Sequence, residues 1–117
     1  MAQVSLKRIL IVDDEPAVCQ AIGELLRLDG HEVETATNAE EAVELCKNTH
    51  FDLVFLDYYL GDMNGEELLS VFRRANPRQK IVIISGHKPY PIVGQADFLI
   101  RKPFTPEVIR RAIVRFA

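Results

Sequence analysis

Strand-length apolar runs alternate with helix-length amphipathic stretches along the whole chain, and this alternation leaves few folds open. Ile9-Leu10-Ile11-Val12 and Leu53-Val54-Phe55-Leu56 are continuous apolar runs, as expected of strands covered on both faces. The sequence predicts strands over 8–12, 31–37, 51–56, 80–85 and 98–100, the second alternating in polarity and so near a sheet edge. Asp14 is expected to cap a helix that opens near Pro16, carries Val18, Ile22, Leu25 and Leu26 inward, and stops at Gly30. Asn38 with Glu41 marks a second helix, burying Ala39, Ala42, Val43 and Cys46. A third is expected over 66–75, turning Leu68, Leu69 and Phe72 inward and ending at Asn76-Pro77. Thr105 and Pro106 open a last helix with Ile109, Ala112, Ile113 and Phe116 on its inner face. Regular βα alternation predicts a parallel sheet with helices on both sides.

With 117 residues the chain is read as one domain, 1–117. Its formal charge of −3 argues against direct nucleic-acid binding, which needs a basic face. Arg101, Lys102, Arg110, Arg111 and Arg115 do crowd the C-terminal part, as a solvated helix face or a basic docking surface. Cys19 and Cys46 have no partner at metal-ligand spacing and are expected as reduced thiols. No stretch approaches the roughly 20 apolar residues of a membrane span, and Met1 to Lys7 have no signal-peptide core. These features predict a cytoplasmic protein.

The chemistry gathers at strand ends. Asp13 and Asp14 follow the first predicted strand, Asp57 the third, Ser85 the fourth and Lys102 the fifth. In a parallel sheet these ends share one edge, where open α/β sheets place ligands. Clustered carboxylates repel one another and suit Mg²⁺, a hard cation that takes carboxylates, waters and phosphate oxygens. A carboxylate nucleophile beside a cation, an ammonium and a hydroxyl is a receiver for a phosphoryl group.

The ordered set Asp13-Asp14, Asp57, Ser85 and Lys102-Pro103-Phe104 resembles the receiver domain of two-component response regulators over essentially the whole chain. The resemblance implies a flavodoxin-like doubly wound sheet of five parallel strands in the order 2-1-3-4-5. It implies a phosphorelay module in which Asp57 accepts phosphate from a sensor histidine kinase or phosphotransfer protein. Asp13, Asp14, Asp57 and the backbone carbonyl of Tyr59 would hold Mg²⁺, Lys102 would pair with phosphoryl oxygens, and Ser85 would move to bond them. Such a module assists its own phosphorylation rather than acting as an enzyme, and it signals to a downstream output domain or protein. The family often has a cis bond at the position of Lys102-Pro103, and Gly65 matches the glycine that opens its third helix.

Departures from the family pattern carry their own expectations. Gly61 stands where proline is common, and Ser85 replaces the commoner threonine. Gly86, where a small residue is usual, leaves space for an incoming phosphoryl group. The switch position three residues before the lysine is Leu99 rather than an aromatic. Phe98 lies one residue earlier, so strand alternation sends it to the opposite face. Pro89, Pro91 and Gly94 between the fourth and fifth strands predict a fourth helix that is short or replaced by a loop. The family's common dimer through that helix, the fifth strand and the last helix is therefore not expected. The resemblance implies that Tyr59 and His87 stand at variable positions that tune phosphoryl lifetime in the family, and their bulk predicts restricted water access and slow decay.

A receiver that has lost its chemistry and serves only as a phosphorylation-independent binding platform is the alternative reading, opposed by the intact acidic, serine and lysine set. A haloacid-dehalogenase-type phosphatase would need Asp-x-Asp after the first strand. A flavodoxin would need a hydroxyl-rich loop where Asp13-Asp14-Glu15 would repel phosphate.

Overall fold

Each central strand divides its side chains between two cores, and that division builds the molecule. The computed structural model describes residues 5–60, 65–86 and 96–117. Within them the order is β1 (Arg8–Val12), α1 (Pro16–Leu28), β2 (Glu32–Ala36), α2 (Ala39–Asn48), β3 (Leu53–Asp57), α3 (Gly65–Ala75), β4 (Ile81–Ser85), β5 (Phe98–Arg101) and α4 (Pro106–Phe116). The five strands are parallel in the order β2-β1-β3-β4-β5. The doubly wound fold expected from the sequence is present. The span 87–95, with the expected short or missing fourth helix and His87, lies outside the described residues, as does Gly61.

Ile9, Ile11, Leu53, Phe55, Val82, Ile84 and Ile100 join α1 and α4 in one core. Leu10, Val12, Val54, Leu56, Ile81 and Ile83 join α2 and α3 in the other. β1 after Arg8, and all of β3 and β4, are buried, which is why they read as unbroken apolar runs. β2 pairs on one side only and exposes Glu32, Glu34 and Thr35, matching its alternating sequence. Phe55 is fully buried. Phe55→Ala is expected to lower stability by about 3–5 kcal/mol, read as a lower denaturant midpoint at unchanged slope.

Local signals set the helix ends. The Asn38 side chain accepts a hydrogen bond from the Glu41 N–H at 2.9 Å, and the Thr105 hydroxyl accepts one from the Val108 N–H at 3.3 Å. The first helix departs from expectation: Glu15, not Asp14, occupies its N-cap and makes no side-chain cap. Asp14 instead sits in an acidic cluster, and Asp13 Oδ1 accepts the Glu15 N–H at 2.9 Å. Strand β3 begins two residues later than the sequence suggests. Asp52 turns its carboxylate to the Arg8 N–H at 2.8 Å, which sets the entry to the sheet.

The two strands on the β5 side are fastened where they enter the sheet. Asp97 donates its N–H to the Ile81 carbonyl at 2.9 Å, and its Oδ2 accepts the Ile81 N–H at 2.8 Å. Arg73 Nη2 lies 3.1 Å from the same oxygen, and Lys80 Nζ lies 3.7 Å from the other. At the far end of the molecule's other core, Arg110 makes a two-pronged pair with Asp29 at 2.8 and 3.0 Å, joining α4 to the end of α1.

Candidate functional site

The register of the sheet explains why distant aspartates meet. Ile11 is level with Phe55, so two residues farther along Asp13 and Asp57 leave neighbouring strands on the same side. Ile84 is level with both Asp57 and Ile100, so Lys102 continues the same face from β5 and reaches back across β4. Asp13, Asp14 and Asp57 each bring a carboxylate oxygen to within 4.8 Å of the others. Asp13 is 1% exposed and Asp57 6%, while Asp14 faces solvent.

Lys102 supplies the balancing charge. Its Nζ lies 2.9 Å from Asp13 Oδ2, 3.5 Å from Glu15 Oε1 and 3.8 Å from Asp57 Oδ1. The Lys102 N–H donates to the Ser85 carbonyl at 2.8 Å, which fixes where the side chain departs, and the Lys102–Pro103 bond is cis. Burial disfavours the ammonium, but the Asp13 hydrogen bond and the Asp57, Asp13 and Glu15 charges outweigh it and raise its pKa above the ordinary lysine value.

Asp57 carries the excess charge. Burial, then the neighbouring Asp13 charge, pushes its carboxyl from the ordinary 3.8 up to about 7, although Lys102 and a hydrogen bond from the Tyr59 backbone oppose the rise. A carboxylate so placed is relieved by any cation that enters among the three acids. The hard oxygen donors and their close approach fit Mg²⁺. Cys19 lies beneath, its Sγ 3.4 Å from the Asp13 carbonyl oxygen. Burial and the Asp13 charge raise its pKa to about 11, so it remains a thiol and donates.

The other expected positions arrange themselves around this centre. Ser85 is buried at the tip of β4 and continues the Ile81–Ile83 series, the face opposite to that of Asp57. Gly86 is open enough that an added Cβ would lie 3.9 Å from Lys102 Cβ, an ordinary contact. Tyr59 is 41% exposed and stacks edge-on against Tyr58 at 4.7 Å between ring centroids. Leu99 packs into the α2–α3 core. Phe98 sits on the opposite face, its ring 5.5 Å from that of Phe116 and within 6.0 Å of the Arg115 guanidinium. Regular pairing of β5 with β4, without a bulge, produces that division. The Glu15 contact with Lys102 was not read from the sequence. The signal for it was adjacency to the Asp13-Asp14 pair, but a strand-tip side chain gives no direction in one dimension.

Comparison with known proteins agrees with this fold. A family model described as the response regulator receiver domain matches residues 9–114. The alginate biosynthesis transcriptional regulatory protein AlgB of Pseudomonas putida is 36% identical over 120 residues, covering 97% of this chain and 27% of that protein. The cell cycle transcriptional regulator CtrA of Caulobacter vibrioides is 37% identical over 116 residues, covering 92% of this chain and 50% of that protein. The chain thus spans between about a quarter and a half of these relatives. Among solved structures, a CheY-like receiver domain protein from Methanospirillum hungatei superposes with a TM-score of 0.88 at 35% identity, covering 94% of this chain and 92% of that one. The response regulator TrrA of Thermotoga maritima, solved in complex with Mg²⁺ and BeF, has a TM-score of 0.88 at 30% identity, covering 96% of this chain and 100% of that one.

Proposed function

The chain belongs to the response regulator receiver domain family, and from that premise we propose that Asp57 is its phosphoacceptor, with Asp13 and Asp14 holding Mg²⁺ beside it and Lys102 binding the transferred group. The observation that carries this reading is the convergence of three carboxylates and one ammonium from β1, β3 and β5 at a single sheet edge.

In the transfer, an ionised Asp57 oxygen attacks the phosphorus of a phosphohistidine. A P–O bond forms, the P–N bond breaks, and the released imidazole nitrogen takes a proton from solvent. The product is an acyl phosphate. With acetyl phosphate as donor, acetate leaves instead. Asp57 must be ionised to attack, and its burial, with the Asp13 charge, makes that costly near neutral pH. Mg²⁺, when bound, supplies Lewis-acid charge that favours the ionised carboxylate and the phosphoryl oxygens. Its further protein ligand in this reading is the Tyr59 carbonyl. Lys102 gives up carboxylate contacts for phosphoryl oxygens, and the Ser85 hydroxyl donates to another. That the similar protein TrrA is solved in complex with Mg²⁺ and BeF supports the Mg²⁺ part of this reading.

The donor in this reading is a sensor histidine kinase or phosphotransfer protein, and the recipient of the signal is an output domain or separate protein. The chain assists only its own phosphorylation and dephosphorylation. Its setting is the cytoplasm; among the described residues no helix is long and apolar enough to cross a membrane.

The test is to incubate the unmodified chain with acetyl phosphate in Mg²⁺ and in excess chelator. Intact-mass measurement is expected to show one added phosphoryl group in Mg²⁺ only, removed by hydroxylamine as acyl phosphates are. Absence of labelling at every Mg²⁺ concentration would refute the reading.

A further inference from the structure

We propose that Glu15 is the solvent-side resting partner of Lys102, beside the closer Asp13, and a positioning residue that holds the ammonium toward the pocket rim until phosphoryl oxygens take Glu15's place. This rests on Asp57 being the acceptor.

Lys102 touches three carboxylates, and they differ in kind. Asp13 and Asp57 approach from the buried side, with side chains 1% and 8% exposed. Glu15 approaches from the solvent side, 65% exposed and 3.5 Å away. Asp13 and Asp57 also belong to the acidic cluster, whereas Glu15 does not. Charge entering that cluster competes with Lys102 for its two inner partners and leaves Glu15 to it. The backbone of Glu15 is anchored: its N–H is held by Asp13 Oδ1 at 2.9 Å, and Pro16 follows as the first residue of α1. Its side chain therefore departs from a fixed point within reach of Lys102.

Phosphoryl transfer brings roughly −1.5 to −2 charges onto the acceptor. Glu15 offers one, and from a wetter position where an ion pair is weak. The ammonium is expected to leave Glu15 for the phosphoryl oxygens on charging and to return on hydrolysis. In the resting protein Glu15 slows uptake by occupying Lys102.

The experiment compares the parent with Glu15→Gln and Glu15→Asp in Mg²⁺, following initial labelling by acetyl phosphate and the side-chain NMR signals of Lys102. Glu15→Gln is expected to label about two- to fivefold faster at low salt, the range open to an exposed pair. The advantage should fade by about 0.5 M salt, where screening acts within a few ångströms. Glu15→Asp keeps the charge but is shorter by one methylene, so it should follow Glu15→Gln. The Lys102 Nζ and Cε signals should shift in both variants before phosphorylation and coincide with the parent's once beryllofluoride is bound. An unchanged rate and unchanged Lys102 signals in Glu15→Gln would overturn the proposal. So would parental behaviour in Glu15→Asp beside a fast Glu15→Gln, which would make Glu15 a mere background charge. If the parent itself takes no label, the acceptor reading fails, and the Lys102 signals still decide the Glu15 contact.

Discussion

Asp57→Asn is expected to abolish phosphoryl labelling and at the same time to make the metal-free protein more stable above neutral pH. The first effect follows from loss of the nucleophilic carboxylate, the second from removal of a group that is costly to ionise where it stands. In the folded chain its pKa is raised from 3.8 to about 7, first by burial and then by Asp13. Well below pH 4 the group is protonated in folded and unfolded chains alike and imposes no penalty. From about pH 4 to about pH 7 the unfolded chain releases the proton and the folded chain retains it, so stability falls as pH rises. Above about pH 7 the loss is complete. Asparagine has no proton to release. In chelator the variant should therefore melt several degrees above the parent at pH 8, a gain on the order of 1–3 kcal/mol, and the two curves should converge near pH 4. Excess Mg²⁺ should raise the parent more than the variant, because a ligand that binds only the native state stabilises in proportion to its affinity. A variant that melts below the parent at pH 8 in chelator would contradict the electrostatic account. Undiminished labelling would move the acceptor elsewhere.

Lys102→Met is expected to do the reverse to stability. Methionine keeps most of the apolar stem and removes the charge, leaving Asp13 and Asp57 buried without the ammonium. Removing one partner of a buried pair costs about 3–5 kcal/mol, and the partial exposure of Lys102 and its weaker contact with Asp57 place this case nearer 2–3. Chemical denaturation in chelator measures it. The deficit should shrink in Mg²⁺, since a divalent cation among the acids replaces the lost charge. The double variant Lys102→Met, Asp57→Asn should recover part of the loss even without metal, as residues in contact are not additive.

Much of this was legible in the sequence, for identifiable reasons. Strands β1, β3 and β4 are buried on both faces, so they appear as unbroken runs that no amphipathic helix would produce. The acids stand out because charge at the end of such a run needs a purpose. Lys102 was harder. It lies 89 residues from Asp13, and only the parallel topology brings the two together. The start of β3 differs from the sequence expectation because Phe51 is buried yet precedes the strand, and apolar character marks burial rather than hydrogen-bond pairing. Asp14 has the sequence signature of a cap because Asp before a helix usually is one; competition from the acidic cluster is invisible locally. The Asp97 clasp and the Arg110–Asp29 pair escaped for the same reason, each joining elements far apart in the chain. The relocation of the aromatic from position 99 to 98 was legible, since alternation along a regular strand decides it.

The clasp at Asp97 has a mechanical side. It rivets the tails of β4 and β5 to each other and to α3 through Arg73, while Ser85 and Lys102 ride at the opposite tips. The clasp fixes the base of this strand pair, so the displacement brought by the proposed charging of Asp57 is expected in the side chains at the rim. A partner that reads the proposed phosphorylation is therefore expected to contact that rim rather than the Asp97 end of the sheet.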